Sequence, residues 1–227
     1  MTPPRGYVVY ENDSIVAIAT MHSRNGKTGN MVQLYILTKN EHPVEACHSG
    51  ADSLICGDCK HRPANMGTCY VTLPHGPVGV WKAYHRGRYP FLESADYARV
   101  FAGRALRLGA YGDPVFLPFS ILEKMTAAAS GHTGYTHQWR RCSAKYRNLV
   151  MASVDNDAEY RQAKAKGWRT FRVKARDAEN LPGEITCPAI LGKTHCLRCL
   201  LCSGMKRANA KDIAVPVHGS RASSFDA

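Results

Sequence analysis

Nowhere do apolar residues run for the roughly 18 positions that a membrane-crossing helix needs, so no membrane span is expected. The opening residues, MTPPRGYVVYENDS, lack the apolar centre of a secretory leader, and a cytoplasmic location is the expectation. Acidic residues are scarce: 18 Asp and Glu stand against 30 Lys and Arg, for a net charge of +12. A P-loop is missing despite Gly-Lys-Thr triplets at 26–28 and 192–194. That motif needs a second glycine five residues before the triplet, where Met21 and Cys187 stand, so tight ATP binding by this route is excluded. No repeat is visible, and the one low-complexity stretch is the polar tail GSRASSFDA, whose residues 220–227 are expected to be loose.

What is present is a chain of 227 residues, 44% hydrophobic and 21% charged, long enough to bury a core. It holds nine cysteines. An odd number in a reducing compartment argues against a disulfide framework and for metal ligation. Cys47 and Cys142 read as small buried hydrophobes. The other seven cluster. Cys196, Cys199 and Cys202 stand at C-x2-C-x2-C spacing, with Cys187 upstream. Three ligands in one tight turn plus one remote cysteine suit a [4Fe–4S] cluster better than two-knuckle zinc, with Zn2+ the alternative. Cys56, Cys59 and Cys69 form a second group, C-x2-C-x9-C. His61, His48 or Cys47 would complete a closed zinc site there; without them one coordination position is left open.

Patterning predicts the fold. Two β-rich runs around Asn12-Asp13 read as a hairpin, and MVQLYILT (31–38) as a strand. Residues 47–77 read as a long loop rich in Cys, Gly, Pro and His. Helices are expected over VGVWKAYHRG, 118–130, WRRCSAKYRN and 156–167, and strands over 105–113, 132–137, 149–155, 168–175 and 212–219. This alternation gives parallel strands with crossover helices, an α/β partial barrel. Residues 1–30 would be a β extension and 31–219 the barrel-like domain, carrying metal loops at 47–70 and 187–202.

Each strand would end in a polar residue: Asp113, His137, Asp155, Lys174 and His218. In parallel β/α folds such ends converge on the ligand face, so Asp113, His137 and Asp155 are the candidate catalytic residues. The basic residues crowd into 136–176, eleven against three acidic, whereas 1–59 has four basic and six acidic. Such a block suggests a phosphate-bearing partner. Trp139, Arg140, Arg141, Lys145 and Arg147 are the candidate nucleic-acid contacts, the indole by stacking on bases.

The order of elements, a strand, a cysteine loop, a helix and further β/α units, resembles the partial barrel of radical S-adenosylmethionine enzymes. That resemblance implies a cluster on Cys56, Cys59 and Cys69 with one iron free for S-adenosylmethionine. GAYGD would replace the family's glycine-rich motif, and the four late cysteines would hold an auxiliary cluster. The loop itself departs from the family's C-x3-C-x2-C. ICGDCKHRP, CYV, GDPVFLP, GYTHQWR, ASVD and GWRTFRV also resemble an uncharacterised family of phage and prophage proteins, which implies action in a bacterial host's cytoplasm and no particular activity. Two functions are expected from these readings. One is an iron–sulfur enzyme of radical-SAM-like architecture acting on nucleic acid or a nucleotide-derived substrate. The other is a metal-stabilised protein binding DNA, RNA or a host protein.

Overall fold

The computed structural model describes residues 3–65, 67–218 and 222–225; half of the tail expected to be loose, 220, 221, 226 and 227, lies outside them. Three strands open the chain: β1 (Gly6–Glu11), β2 (Ile15–Thr20) and β3 (Val32–Thr38). Asn12 makes the first turn, its Oδ1 accepting from the amides of Ser14 and Ile15 at 2.9 and 2.8 Å, the local bonding that favours Asn at turns. β2 pairs antiparallel with β3 along its whole length. The N-terminal hairpin is therefore part of the main sheet, where the sequence suggested an extension.

The stretch expected to be a plain loop holds two short helices, α1 (Pro43–Ser49) and α2 (Ser53–Cys56). Pro43 stands at the start of α1 and Gly50 closes it in the left-handed region, both favoured placements. After α3 (Pro77–His85) and α4 (Tyr97–Phe101) the β/α alternation begins: β4 (Ala105–Tyr111), α5 (Phe119–Ala128), β5 (Gly131–Thr136), β6 (Met151–Val154), α6 (Asp157–Ala165) and β7 (Thr170–Lys174). The helix expected over WRRCSAKYRN is only a 3-10 segment, Ala144–Asn148, because Ser143 is extended and interrupts it. β8 (Glu184–Thr186), absent from the sequence reading, precedes α7 (Cys196–Cys199) and β9 (Asp212–Pro216).

The nine strands form one sheet in the order β1-β2-β3-β4-β5-β6-β7-β9-β8, parallel from β3 onward. Among the described residues β1 and β8 do not pair, so the sheet is open. Alternation along β6 sorts its two faces. Ala152 and Val154 join the large core with Val80, Phe101, Leu122, Met125 and Ala163 of the helices. Met151 joins a smaller cluster with Cys202, Ile213 and Val215, flanked by Tyr135, Phe171 and Cys187. Cys202 and Cys187 thus pack on the face that these helices leave. No described helix is long and apolar enough to cross a membrane.

Candidate metal centres and strand-end site

Three strand ends and the early cysteine loop meet at one place. β4 ends in Gly109 and Gly112, both at positive φ; a Cβ at Gly112 would lie 2.7 Å from the Ile36 carbonyl oxygen. Only glycine turns that closely. Asp113 then donates its amide to Ile55 in the early loop at 2.7 Å. Its carboxylate accepts from Val115 N (3.2 Å), Thr136 Oγ1 (3.0 Å) and His137 N (2.9 Å). Burial pushes Asp113 up to about 6 although those bonds favour its ionised form. Both oxygens are spent tying the ends of β4 and β5 together. In this arrangement Asp113 braces the end of β5 and positions His137.

His137 and Asp155 come together as the sequence suggested, and His61 joins them from the cysteine loop. One ligand atom from each lies within 4.8 Å of the others. His61 Nε2 is 2.9 Å from Asp155 Oδ1 and its Nδ1 2.6 Å from Thr68 Oγ1. Asp155 Oδ2 and His137 Nε2 are buried without hydrogen bonds. Lys60 Nζ lies 3.3 Å from Oδ2, an ion-pair contact, and 3.2 Å from Glu159 Oε1. Burial would raise the Asp155 pKa, but the His61 bond and the charges of His137, His61 and Lys60 outweigh it and hold it at about 2. Burial pushes His137 down to about 4. Near neutrality the site thus offers an ionised carboxylate beside a neutral imidazole. Glu159 caps α6 locally, its amide bonded to Asn156 and its carboxylate accepting from Asp155 N at 3.0 Å.

Lys174 and His218 do not join this group. Lys174 turns to the Ala178 carbonyl, and His218 bonds to Pro216 and stacks on Tyr70 at 6.1 Å. Tyr70 in turn receives a 2.8 Å bond from Arg107 on β4.

The early thiols share one environment. Burial, followed by the neighbouring Cys59 and Cys69, raises Cys56 well above its usual value, and burial with Cys69 among the neighbours pushes Cys59 up to about 12. The sulfurs therefore lie within electrostatic reach of one another. Of the candidates for a fourth ligand, Cys47 also feels the charge of Cys69, but all three have other surroundings. His61 is held by Thr68 and Asp155, the Cys47 sulfur is 3.6 Å from the Tyr111 hydroxyl, and His48 is exposed. Arg62 orders the loop, bonding to the carbonyls of Gly50 and Gly57 and to the Asp52 carboxylate.

The late thiols form a second such group. Burial raises Cys202 strongly, and Cys187, Cys196 and Cys199 add to it against a hydrogen bond from Tyr135. Cys196 and Leu197 donate their amides to Lys27 and Thr28, and Gly134 donates to Cys202 O at 2.9 Å. Arg169, buried on the strand side, donates to the carbonyls of Leu201, Gly204 and Lys211. Arg62, Thr68 and Arg169 were missed from the sequence, where single polar residues carry no pattern. Cys142 is partly buried and packs against the core.

The basic block is less free than its charge suggested. Trp139 is 2% exposed and donates Nε1–H to Ser153 O at 3.1 Å. Its ring is covered by Arg140 at 4.1 Å, which corrects its expected stacking on bases. Arg140 also pairs with Glu159 at 3.3 Å, and exposed Arg141 with Asp58 at 3.0 Å. Lys145 lies over the Phe119 ring, and Arg147 donates to Lys166 O. Comparison with protein-family models, curated proteins and solved structures finds no match.

Proposed function

We propose that the protein is an iron–sulfur enzyme of radical-SAM-like architecture acting on nucleic acid or a nucleotide-derived anion. The observation that carries this reading is that Cys56, Cys59 and Cys69 lie within electrostatic reach of one another in the early loop, beside Asp113 and Asp155 of the strand ends. Three thiolates so grouped suit a cluster, in which each binds its own iron. The same reasoning covers Cys187, Cys196, Cys199 and Cys202 as an auxiliary centre.

Cys56, Cys59 and Cys69 would hold such a cluster, which would supply one-electron reduction of S-adenosylmethionine. The chain's own part is to position and to exclude water. Arg62 and Asp52 fix the loop, and Asp113 fixes the end of β5 beside it. Arg141 reaches Asp58, which lies between Cys56 and Cys59, so one end of the basic block borders the early loop and would draw an anionic substrate there. Anaerobic purification tests the reading. A brown protein with iron and sulfide in two clusters, one changing its paramagnetic spectrum on addition of S-adenosylmethionine, supports it. A colourless protein with two zinc ions overturns it in favour of a metal-stabilised binding protein.

A further inference from the structure

We propose that His61, His137 and Asp155 form a separate mononuclear site for a first-row divalent transition metal such as Zn2+, Fe2+, Mn2+ or Co2+. Two imidazoles and one carboxylate on one side of an ion, with other positions open, are a donor set such metals take. The geometry is already close to a coordination sphere. Neighbouring donors on an octahedral ion with bonds of about 2.1 Å stand about 3 Å apart, and His61 Nε2 and Asp155 Oδ1 are separated by 2.9 Å.

Two observations point to a missing ligand rather than a finished hydrogen-bond network. His137 Nε2 is buried without a hydrogen bond among the described residues, a state that costs free energy unless something completes it. The only partner of Asp155 Oδ2 there is the ammonium of Lys60 at 3.3 Å. Their neighbours are also suited to holding a metal. Without an ion His61 Nε2–H donates to Asp155 Oδ1. Once an ion displaces that proton, the Thr68 hydroxyl can accept from His61 Nδ1–H, leaving the Nε2 lone pair for the metal. Such outer partners orient metal-binding histidines. Phe225 stacks at 6.0 Å on the His61 ring, with the planes 14° apart, covering one side with an apolar group.

Lys60 is the built-in competitor. Its ammonium balances Asp155 and Glu159 from a side chain 41% exposed, so it can swing out to solvent when a divalent ion enters. The site does not depend on the cysteines holding iron, and it stands whether they bind a cluster or zinc.

The test is Co2+ binding to the full chain purified with its native metals, followed by visible absorption and calorimetry. Cobalt on nitrogen and oxygen donors gives weak visible bands without the intense near-ultraviolet charge transfer of thiolate ligation, which separates this site from the cysteine groups. One equivalent of the nitrogen–oxygen type is expected. It should be lost in His137→Gln, weakened about 10–100-fold in Thr68→Val and tightened several-fold in Lys60→Met, an exposed change that should not disturb folding. Absence of that signature in both wild type and Lys60→Met overturns the proposal, as does a signature unchanged in His137→Gln. Either failure leaves the iron and sulfide analysis of the cysteine loops untouched.

Discussion

Each cysteine loop is wound around one arginine, and the two arginines meet different partners. Arg62 in the early loop clamps two carbonyls and the buried carboxylate of Asp52. Arg169 clamps three carbonyls behind the late loop, and its Nε has no partner. Their surroundings differ in the same sense. The early thiols adjoin Asp113, Asp155 and the His61 group, whereas Cys202 packs with Met151, Ile213 and Val215. One loop is built where charges can be exchanged and the other where a chain segment must be kept in place. The early loop sits among ionisable groups and the late loop among apolar ones.

The sharpest way to break that distinction is to remove one thiol from each loop. Cys199→Ser should lose one centre's worth of metal and unfold the C-terminal third, because metal binding coupled to loop ordering contributes on the order of 10 kcal/mol. Cys59→Ser should lose its metal with a much smaller fall in melting temperature, since the Arg62 bonds remain. Metal analysis and thermal melting of both variants check this. An equal fall in the two would erase the difference.

Next in size are the clamps themselves. Arg62→Met leaves the Asp52 carboxylate, 1% exposed, without its counter-ion, at a cost of about 3–5 kcal/mol. Adding Asp52→Asn should recover part of that cost, as expected for a coupled pair. Arg169→Met strands three carbonyls and should cost about 3 kcal/mol, with no single partner whose change restores it. Denaturant unfolding of the two singles and the Asp52 double variant separates these cases. No recovery in the Arg62 pair would mean that its carboxylate contact is incidental.

Acid should act on both regions, since His137 of the early site is also pushed down to about 4, and the late share can be isolated at His132. His132 is 1% exposed, donates to the Leu149 carbonyl at 2.8 Å and lines one cavity with Leu200 and Ser203 of the late region. Burial, helped by the charge of Lys206, pushes it down to about 4. The unfolded chain, with an ordinary histidine near 6.5, then binds more protons than the native state between those values. Stability is full above about pH 6.5 and falls as pH drops toward 4, by up to about 3 kcal/mol. Asp113, pushed up to about 6, works in the opposite direction over part of this window. The His132 share therefore appears as the difference between wild type and His132→Asn. Asp155, held at about 2, stays ionised across the same range. Parallel pH profiles for wild type and His132→Asn would remove His132 as the acid-sensitive element.

Periodicity made the parallel half of the sheet legible, because β4 to β7 and α5 and α6 carry complete apolar patterns and end signals. β8 escaped because three residues hold no period. The helix over 139–148 failed because Trp139 faces the core for reasons of packing, and Ser143 breaks the turn. The site was half legible. His137 and Asp155 stand at strand ends, where topology alone predicts convergence. His61 and Thr68 are brought to them by the path of the cysteine loop, which has no pattern to read. Arg169 reads as one more member of a basic block and is in fact buried.

The smallest effect concerns what remains of that block. Arg141 and Asp58 are 76% and 52% exposed, so Arg141→Ala should change stability by no more than about 0.5 kcal/mol. Its effect on binding should be of another kind. If the early loop takes a phosphate-bearing substrate, Arg141 contributes counter-ion release there. Arg147, bonded to Lys166 O at the opposite ends of the β-strands, does so only for a nucleic-acid strand that reaches it. Each contact removed should lower the slope of log affinity against log salt by about one. Removing them should weaken binding evenly across nucleic-acid sequences, since phosphate contacts carry no base information. Arg140 should matter less than its position suggests, because Glu159 and the Trp139 ring already hold its guanidinium. Fluorescence anisotropy with a short single strand at several salt concentrations measures all three. A salt slope unchanged in the Arg141→Ala, Arg147→Ala double variant would return these residues to a solvated face and leave the early loop without an electrostatic guide.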